Sequence, residues 1–123
     1  VMLYVVVPGE YQHWMGVRQK QLEEETTKAK ALFRLFRRKL HLAGFEDVAV
    51  EEVIREGTAA EEIVELIGED EDIAILVLGA AIDAGGPGPL VSTLAAGTAA
   101  GKFPVPVTVV PGTLSLEDIR LLA

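Results

Sequence analysis

Residues 73–88 read IAILVLGAAIDAGGPG. Ile73 to Leu78 is apolar without interruption, and a glycine-rich loop runs from Gly79 to Gly88. An unbroken apolar run of this length is the pattern of a strand covered on both faces, as in a parallel sheet. Pro89 suits the first position of a helix, and Leu90, Val91, Leu94 and Thr98 supply its inner side as far as Gly101. Val105 to Val110 then reads as the last strand, bounded by Pro104, Pro111 and Gly112. Strand, glycine loop, helix and strand make one parallel crossover unit.

The same alternation runs through the rest of the chain. Met2 to Val7 (MLYVVV) is an apolar, β-branched run closed by Pro8-Gly9, and reads as a strand buried on both faces. A loop or helix approach carrying Tyr11, His13 and Trp14 leads to a long helix from Gly16 to Leu42. Leu22, Ala29, Phe33, Phe36 and Leu40 recur at helical spacing, and Leu32 and Leu35 widen the stripe. Glu23, Glu24 and Glu25 lie early and Arg34, Arg37, Arg38 and Lys39 late, which complements the helix dipole. Gly44 is a natural stop. Val48 to Arg55 is a second strand whose Glu51 and Glu52 suit a sheet edge. Thr58-Ala-Ala-Glu61 matches a capping box before a helix with Ile63, Leu66 and Ile67 on one face, ended by Gly68. Ser115 can cap a short terminal helix containing Leu116, Ile119 and Leu122. The order β-α-β-α-β-α-β-α predicts an α/β fold: a doubly wound parallel sheet with helices on both faces.

Composition narrows the function classes. At 123 residues and 13.2 kDa the chain suits a single domain spanning 1–123. Half the residues are hydrophobic and the mean hydropathy is +0.32, which excludes a disordered chain. Nineteen acids against 11 bases leave a net charge of -8, the wrong sign for a nonspecific nucleic-acid binder. Cysteine is absent, which removes disulfide scaffolds, thiol catalysis and cysteine zinc sites. No apolar run approaches the about 18 residues of a membrane span. Val1 stands directly inside an apolar run with no polar lead-in, which leads us to expect a chain cut upstream, truncated at the N-terminus.

The loop after Leu78 is the leading site candidate, because open α/β sheets bind ligands beyond the carboxyl ends of their strands. Gly79, Gly85, Gly86 and Gly88 allow close backbone approach, and the helix after Pro89 offers free N–H groups to an anion. The plain alternative is a turn. Charge supports that alternative: no Lys or Arg stands between Arg55 and Lys102, whereas nine acids from Glu56 to Asp83 do. Gly97 to Lys102 (GTAAGK) is not a P-loop; its glycines are one residue too close, Phe103 replaces the Ser/Thr, and it precedes a strand. His13 and His41 are far apart, and neither has a second metal ligand at helical spacing. Ser92, His13 and Asp83 could be drawn as a triad, but no nucleophile-elbow pattern supports it. The basic group Arg34, Arg37, Arg38 and Lys39 could contact an acidic partner but reads better as a solvated helix face, and Tyr11, His13 and Trp14 as a cover for the core, for a ligand or for a partner chain.

From Met2 to Gly112 the chain resembles the universal stress protein family. Three segments carry the resemblance: MLYVVV with the long charged helix after it, VIREGTAAEEIVELI, and DIAILVLGA with PVPVTVVPG. The resemblance implies a Rossmann-like three-layer sandwich of the adenine nucleotide alpha hydrolase type. Nucleotide-binding members carry G-x2-G-x9-G-[S/T] after the fourth strand. Anchored at Gly79, this sequence puts Ile82 at the second glycine, Ser92 at the third and Thr93 at the Ser/Thr. A register through Gly85, Gly88, Gly97 and Thr98 is one residue short. Two glycines are thus replaced by side chains where backbone should meet phosphate. The family's opening strand, which lies mid-sheet and carries an acidic nucleotide contact, has no counterpart, so the strands at 2–7 and 73–78 should flank a slot. The resemblance also implies a homodimer through the last strand, with Val105, Val107 and Val109 at its edge.

The expected function is a cytoplasmic stress-response binding or regulatory module, not an enzyme, without strong nucleotide binding, nucleic-acid partner or membrane anchor. The alternatives are a member that binds ATP or AMP with magnesium, and a ligand-free dimeric interaction domain. A bound nucleotide should contact Gly79, Ala80, Gly85, Gly86, Gly88, Ser92 and Thr93, with backbone near Val7.

Overall fold

The computed structural model of the chain describes residues 1–8, 15–82, 86, 88, 90–94 and 103–122. The elements are β1 (Met2–Val6), α1 (Met15–Leu42), β2 (Glu52–Glu56), α2 (Ala59–Glu69), β3 (Leu76–Ala80), α3 (described over 90–94), β4 (Val107–Pro111) and α4 (Leu116–Leu122). Helices and parallel strands alternate as the hydrophobic pattern requires. The described strands pair as two two-stranded parallel sheets, β1 with β2 and β3 with β4. The chain divides into two compact units, Val1–Glu62 and Ile63–Ala123.

In the first unit β1 and β2 run in register from Met2 opposite Glu52 to Val6 opposite Glu56. Met2 N–H donates to the Glu51 carbonyl at 2.8 Å and Gly57 N–H to the Val6 carbonyl at 2.9 Å, lengthening the ladder at both ends. α1 packs on this pair, with Ala29, Phe33 and Val6 buried. The stripe is narrower than the apolar spacing implies. Leu22 and Leu40 are half-buried, whereas Leu32, Leu35 and Phe36 are exposed. Two strands about 4.8 Å apart give one helix only a narrow bed to lie on. For the same reason β1 is not buried on both faces: Met2 to Val5 are half-buried and only Val6 is fully covered.

Polar side chains fasten α1 to its sheet. Tyr4 Oη–H donates to Glu25 Oε2 at 2.8 Å, and Lys28 Nζ lies 3.1 Å from Glu25 Oε1. Arg18 pairs with Glu56 at 3.0 Å, and Arg37 reaches Glu52 at 3.3 Å and the Val50 carbonyl at 3.2 Å. The helix ends where Gly44 predicts, at φ 90°. Gly44 N–H donates to the His41 carbonyl and Phe45 N–H to the Leu40 carbonyl, the paired bonds of a Schellman cap.

Several boundaries differ from the sequence reading. β2 starts at Glu52 rather than Val48. α2 continues past Gly68 to Glu69 and stops at a turn in which Asp70 Oδ1 accepts from Asp72 N–H at 3.0 Å. That turn delays β3, which occupies Leu76–Ala80 rather than Ile73–Leu78 and takes Gly79 into the strand. β4 begins at Val107, and Val105 lies in the bend before it between two prolines. Ile63, Leu66 and Ile67 are buried on α2 as their spacing predicts. Ser115 does cap α4: Asp118 N–H donates to Ser115 Oγ, and Ser115 N–H donates to Asp118 Oδ2, a contact that lowers the Asp118 pKa.

The hydrogen bond from Tyr4, then that from Lys28, holds the Glu25 carboxyl below its usual range, while accepting the Tyr4 proton raises the phenol. The Glu25 contribution is present above the ordinary carboxylate range and lost as pH falls through its depressed value. The Tyr4 contribution is present below the ordinary phenol range and lost as pH rises through its raised value. Tyr4→Phe therefore lowers Tm near neutral pH, and circular-dichroism melts across an acid series should show the gap to wild type closing. A gap of constant size would show that the bond contributes nothing to pH-dependent stability.

Candidate functional site

The candidate site is built where β3 and β4 end side by side. Their register brings Gly79 opposite Val110 and Ala80 opposite Pro111. The chain leaves β3 through Ala81 and Ile82, passes Gly86 and Gly88, and enters the helical turn at 90–94. Gly86 and Gly88 hold φ of 98° and 101°, a region that side chains with a Cβ seldom adopt. A Cβ at Gly88 would stand 3.8 Å from the Ala81 side chain, so the loop folds back toward the end of β3. Ser92 N–H donates to the Gly88 carbonyl at 3.1 Å. Val91 and Leu94 are buried and anchor the turn, which leaves Ser92 and Thr93 on the exposed side.

Of the expected site residues, Gly79, Ala80, Gly88 and Ser92 are thus brought to one end of the second unit, with Gly86 and Thr93 in the same loop and turn. Gly79 and Ala80 belong to β3 itself, not to the loop. Gly85 lies outside the described residues, as do Asp83, His13, Tyr11 and Trp14. Val7 is exposed directly after β1 in the first unit. His41 is exposed in the last turn of α1, beside a shallow groove lined by Arg37, Leu40, Val48, Ala49 and Val50. Among the described residues no group of three or more His, Asp or Glu side chains could hold a metal ion.

Two features were not visible in the residue spacing. One is the Tyr4–Glu25–Lys28 cluster, whose members are 21 and 3 residues apart and carry no local motif. The other is Gly112. A Cβ there would meet the Ala80 carbonyl oxygen at 2.8 Å and Ile82 Cγ1 at 2.7 Å. Gly112 is therefore the residue that lets the segment after β4 press against the exit from β3. The one sequence signal for it is the Pro111-Gly112 pair, which reads equally well as an ordinary turn.

The arrangement is that of an α/β protein with parallel strands and a glycine loop at their carboxyl ends, the position at which such folds take up ligands. Residues 1–111 match the universal stress protein family. The chain belongs to that family, which places it among stress-response proteins of Rossmann-like α/β fold. No curated protein and no solved structure matched the chain. No helix among the described residues is long and apolar enough to cross a membrane.

Gly112→Ala forces the new methyl against backbone that cannot swing aside. Such overpacking costs about 1–3 kcal/mol. Urea unfolding should show a lower midpoint with an unchanged slope; a midpoint equal to wild type would mean the β3 exit has room to move.

Proposed function

We propose that this chain is a stress-response binding and regulatory module, not a catalyst, and that its loop grips nucleotide weakly. Ile82 carries this reading. It occupies the place of the second motif glycine, is 71% exposed, and leans on Gly112 at the mouth of the site. An apolar side chain there takes the space in which a phosphate would meet backbone N–H groups. Ser92 adds a second side chain at the next glycine position. The stretch from Glu56 to Gly101 supplies no Lys or Arg to offset its acids.

The family supports a doubly wound three-layer sandwich for the domain, cytoplasmic placement, and a homodimer formed through the last strand. Val107 is half-buried and Val109 is exposed on β4, and β3 is the one strand paired with it among the described residues. The Pro106 carbonyl accepts from Leu76 N–H at 2.9 Å and so faces β3. Its ring nitrogen turns the same way, so by the same alternation the outer edge of β4 keeps the donors of Val107 and Val109 and lacks one at Pro111. Val105 lies outside the strand and contributes to that edge only as a flank. Light scattering of Val107→Lys should show a smaller mass than wild type, and equal masses would remove β4 from the interface.

Calorimetric titration with ATP and with AMP, each with and without magnesium, tests the ligand reading. Wild type should bind with Kd above about 1 mM, and Ile82→Gly with Ser92→Gly should tighten binding at least about tenfold, worth about 1.4 kcal/mol. Thr93→Ala should then weaken the double variant again. Submillimolar, magnesium-dependent binding by wild type would instead make the chain a nucleotide-binding member.

A further inference from the structure

α1 is the basic part of an acidic chain. It carries eight Lys and Arg against three Glu, whereas the rest of the chain carries three bases and 16 acids. Between Glu25 and Glu46 stand Lys28, Lys30, Arg34, Arg37, Arg38 and Lys39, and no acid. Lys28 and Arg37 are engaged with Glu25 and Glu52. Lys30, Arg34, Arg38 and Lys39 are exposed and enter no ion pair among the described residues.

Exposed apolar side chains share this half of the helix. Ala29 and Phe33 are buried, while Leu32, Leu35 and Leu42 are 52%, 49% and 79% exposed. Helical spacing sets Ala31, Leu35 and Leu42 in one outward ridge. Lys30, Arg34 and Arg38, at steps of four, line one flank of it, and Lys28, Leu32 and Lys39 line the other. Glu24 stands in line with the ridge two turns before Ala31, and Glu46 and Asp47 follow the helix cap, which confines this surface to residues 28–42.

The chemistry of the surface selects its partner. A face flanked by unpaired cations calls for an anionic one, and acids elsewhere on the chain are screened beyond about 8–10 Å at physiological salt. A nucleic-acid backbone offers the leucines nothing. An acidic protein would need a groove cut to fit a helix that stands out from its sheet. The boundary between lipid headgroups and acyl chains yields to a convex apolar ridge, while Lys and Arg stems lie along it and hold their charges among the phosphates. No helix among the described residues is long and apolar enough to cross a bilayer, so the contact is peripheral. Apolar run length, which argues against a membrane span, does not register a face of this kind.

We propose that residues 28–42 of α1 dock the protein on an anionic phospholipid surface, with Ala31, Leu35 and Leu42 at the acyl boundary and Lys30, Arg34, Arg38 and Lys39 on the headgroups. The docking uses neither the loop after β3 nor the β4 edge.

Co-sedimentation should show wild type bound to vesicles of phosphatidylserine with phosphatidylcholine, unbound to phosphatidylcholine alone, and released by added salt. Arg34→Glu with Arg38→Glu, both exposed, should weaken binding at least about tenfold. Trp14 is the one tryptophan, so a Trp14→Phe background makes single fluorescent probes readable. On the mixed vesicles the emission of Leu35→Trp should move to the blue, and that of Val17→Trp, about 27 Å away along the helix, should not. No binding to the mixed vesicles, equal binding to both kinds, an unshifted Leu35→Trp, equal shifts at the two positions, or undiminished binding by the double variant would each overturn the proposal. So would binding to polyglutamate in preference to the mixed vesicles, the result expected if an acidic protein covers this face.

Discussion

Parallel strand pairing obliges the chain to leave one end of a sheet and re-enter at the other, and everything else in the molecule follows from how that return is made. Residues 2–6 pair with residues 52–56, and the long excursion between them is spent on α1. Residues 76–80 pair with 107–111 across a glycine loop and a helical turn. A hairpin could not make either connection. Each return helix must cover the strands it links, and each strand pair must present its carboxyl end at the same side as the loop that leaves it. The candidate site is a consequence of this rule, since β3 and β4 finish together and deliver Gly79, Ala80 and Gly112 to one place.

That geometry also gives the proposed weak grip on anions a physical basis. Among the described residues the loop has positive φ at Gly86 and Gly88, a turn of helix at 90–94, and Ser92 and Thr93 on its exposed side. On the proposed reading, the exposed Ile82 side chain takes up space that a phosphate would need, so a glycine loop at the strand ends does not by itself imply a ligand.

The first unit shows the same separation between pattern and outcome. Tyr4 joins β1 to α1 through its bond to Glu25, which Lys28 of the same helix also contacts, and exposed ion pairs of this kind contribute little. The burial of Ala29, Phe33 and Val6 supplies the larger part of the attachment. Leu22 and Leu40 are half-buried, while Leu32, Leu35 and Leu42 stay exposed.

Element order, the parallel character of the strands and the end of α1 at Gly44 were legible in the chain because each rests on local rules: apolar runs of strand length, helical spacing, a glycine cap. The family resemblance was legible for the same reason, since order and turn chemistry carry it. Strand boundaries were not. The Asp70 turn and the prolines at 104 and 106 move β3 and β4 by two or three residues, and hydrogen bonds to a distant partner settle where a ladder begins. Nor could spacing separate Phe33, which is buried, from Leu32, Leu35 and Phe36 beside it, which are not. Periodicity tells which residues share a helix face; how wide a face is covered depends on the breadth of the surface that meets it, and that breadth is a property of the assembled strands.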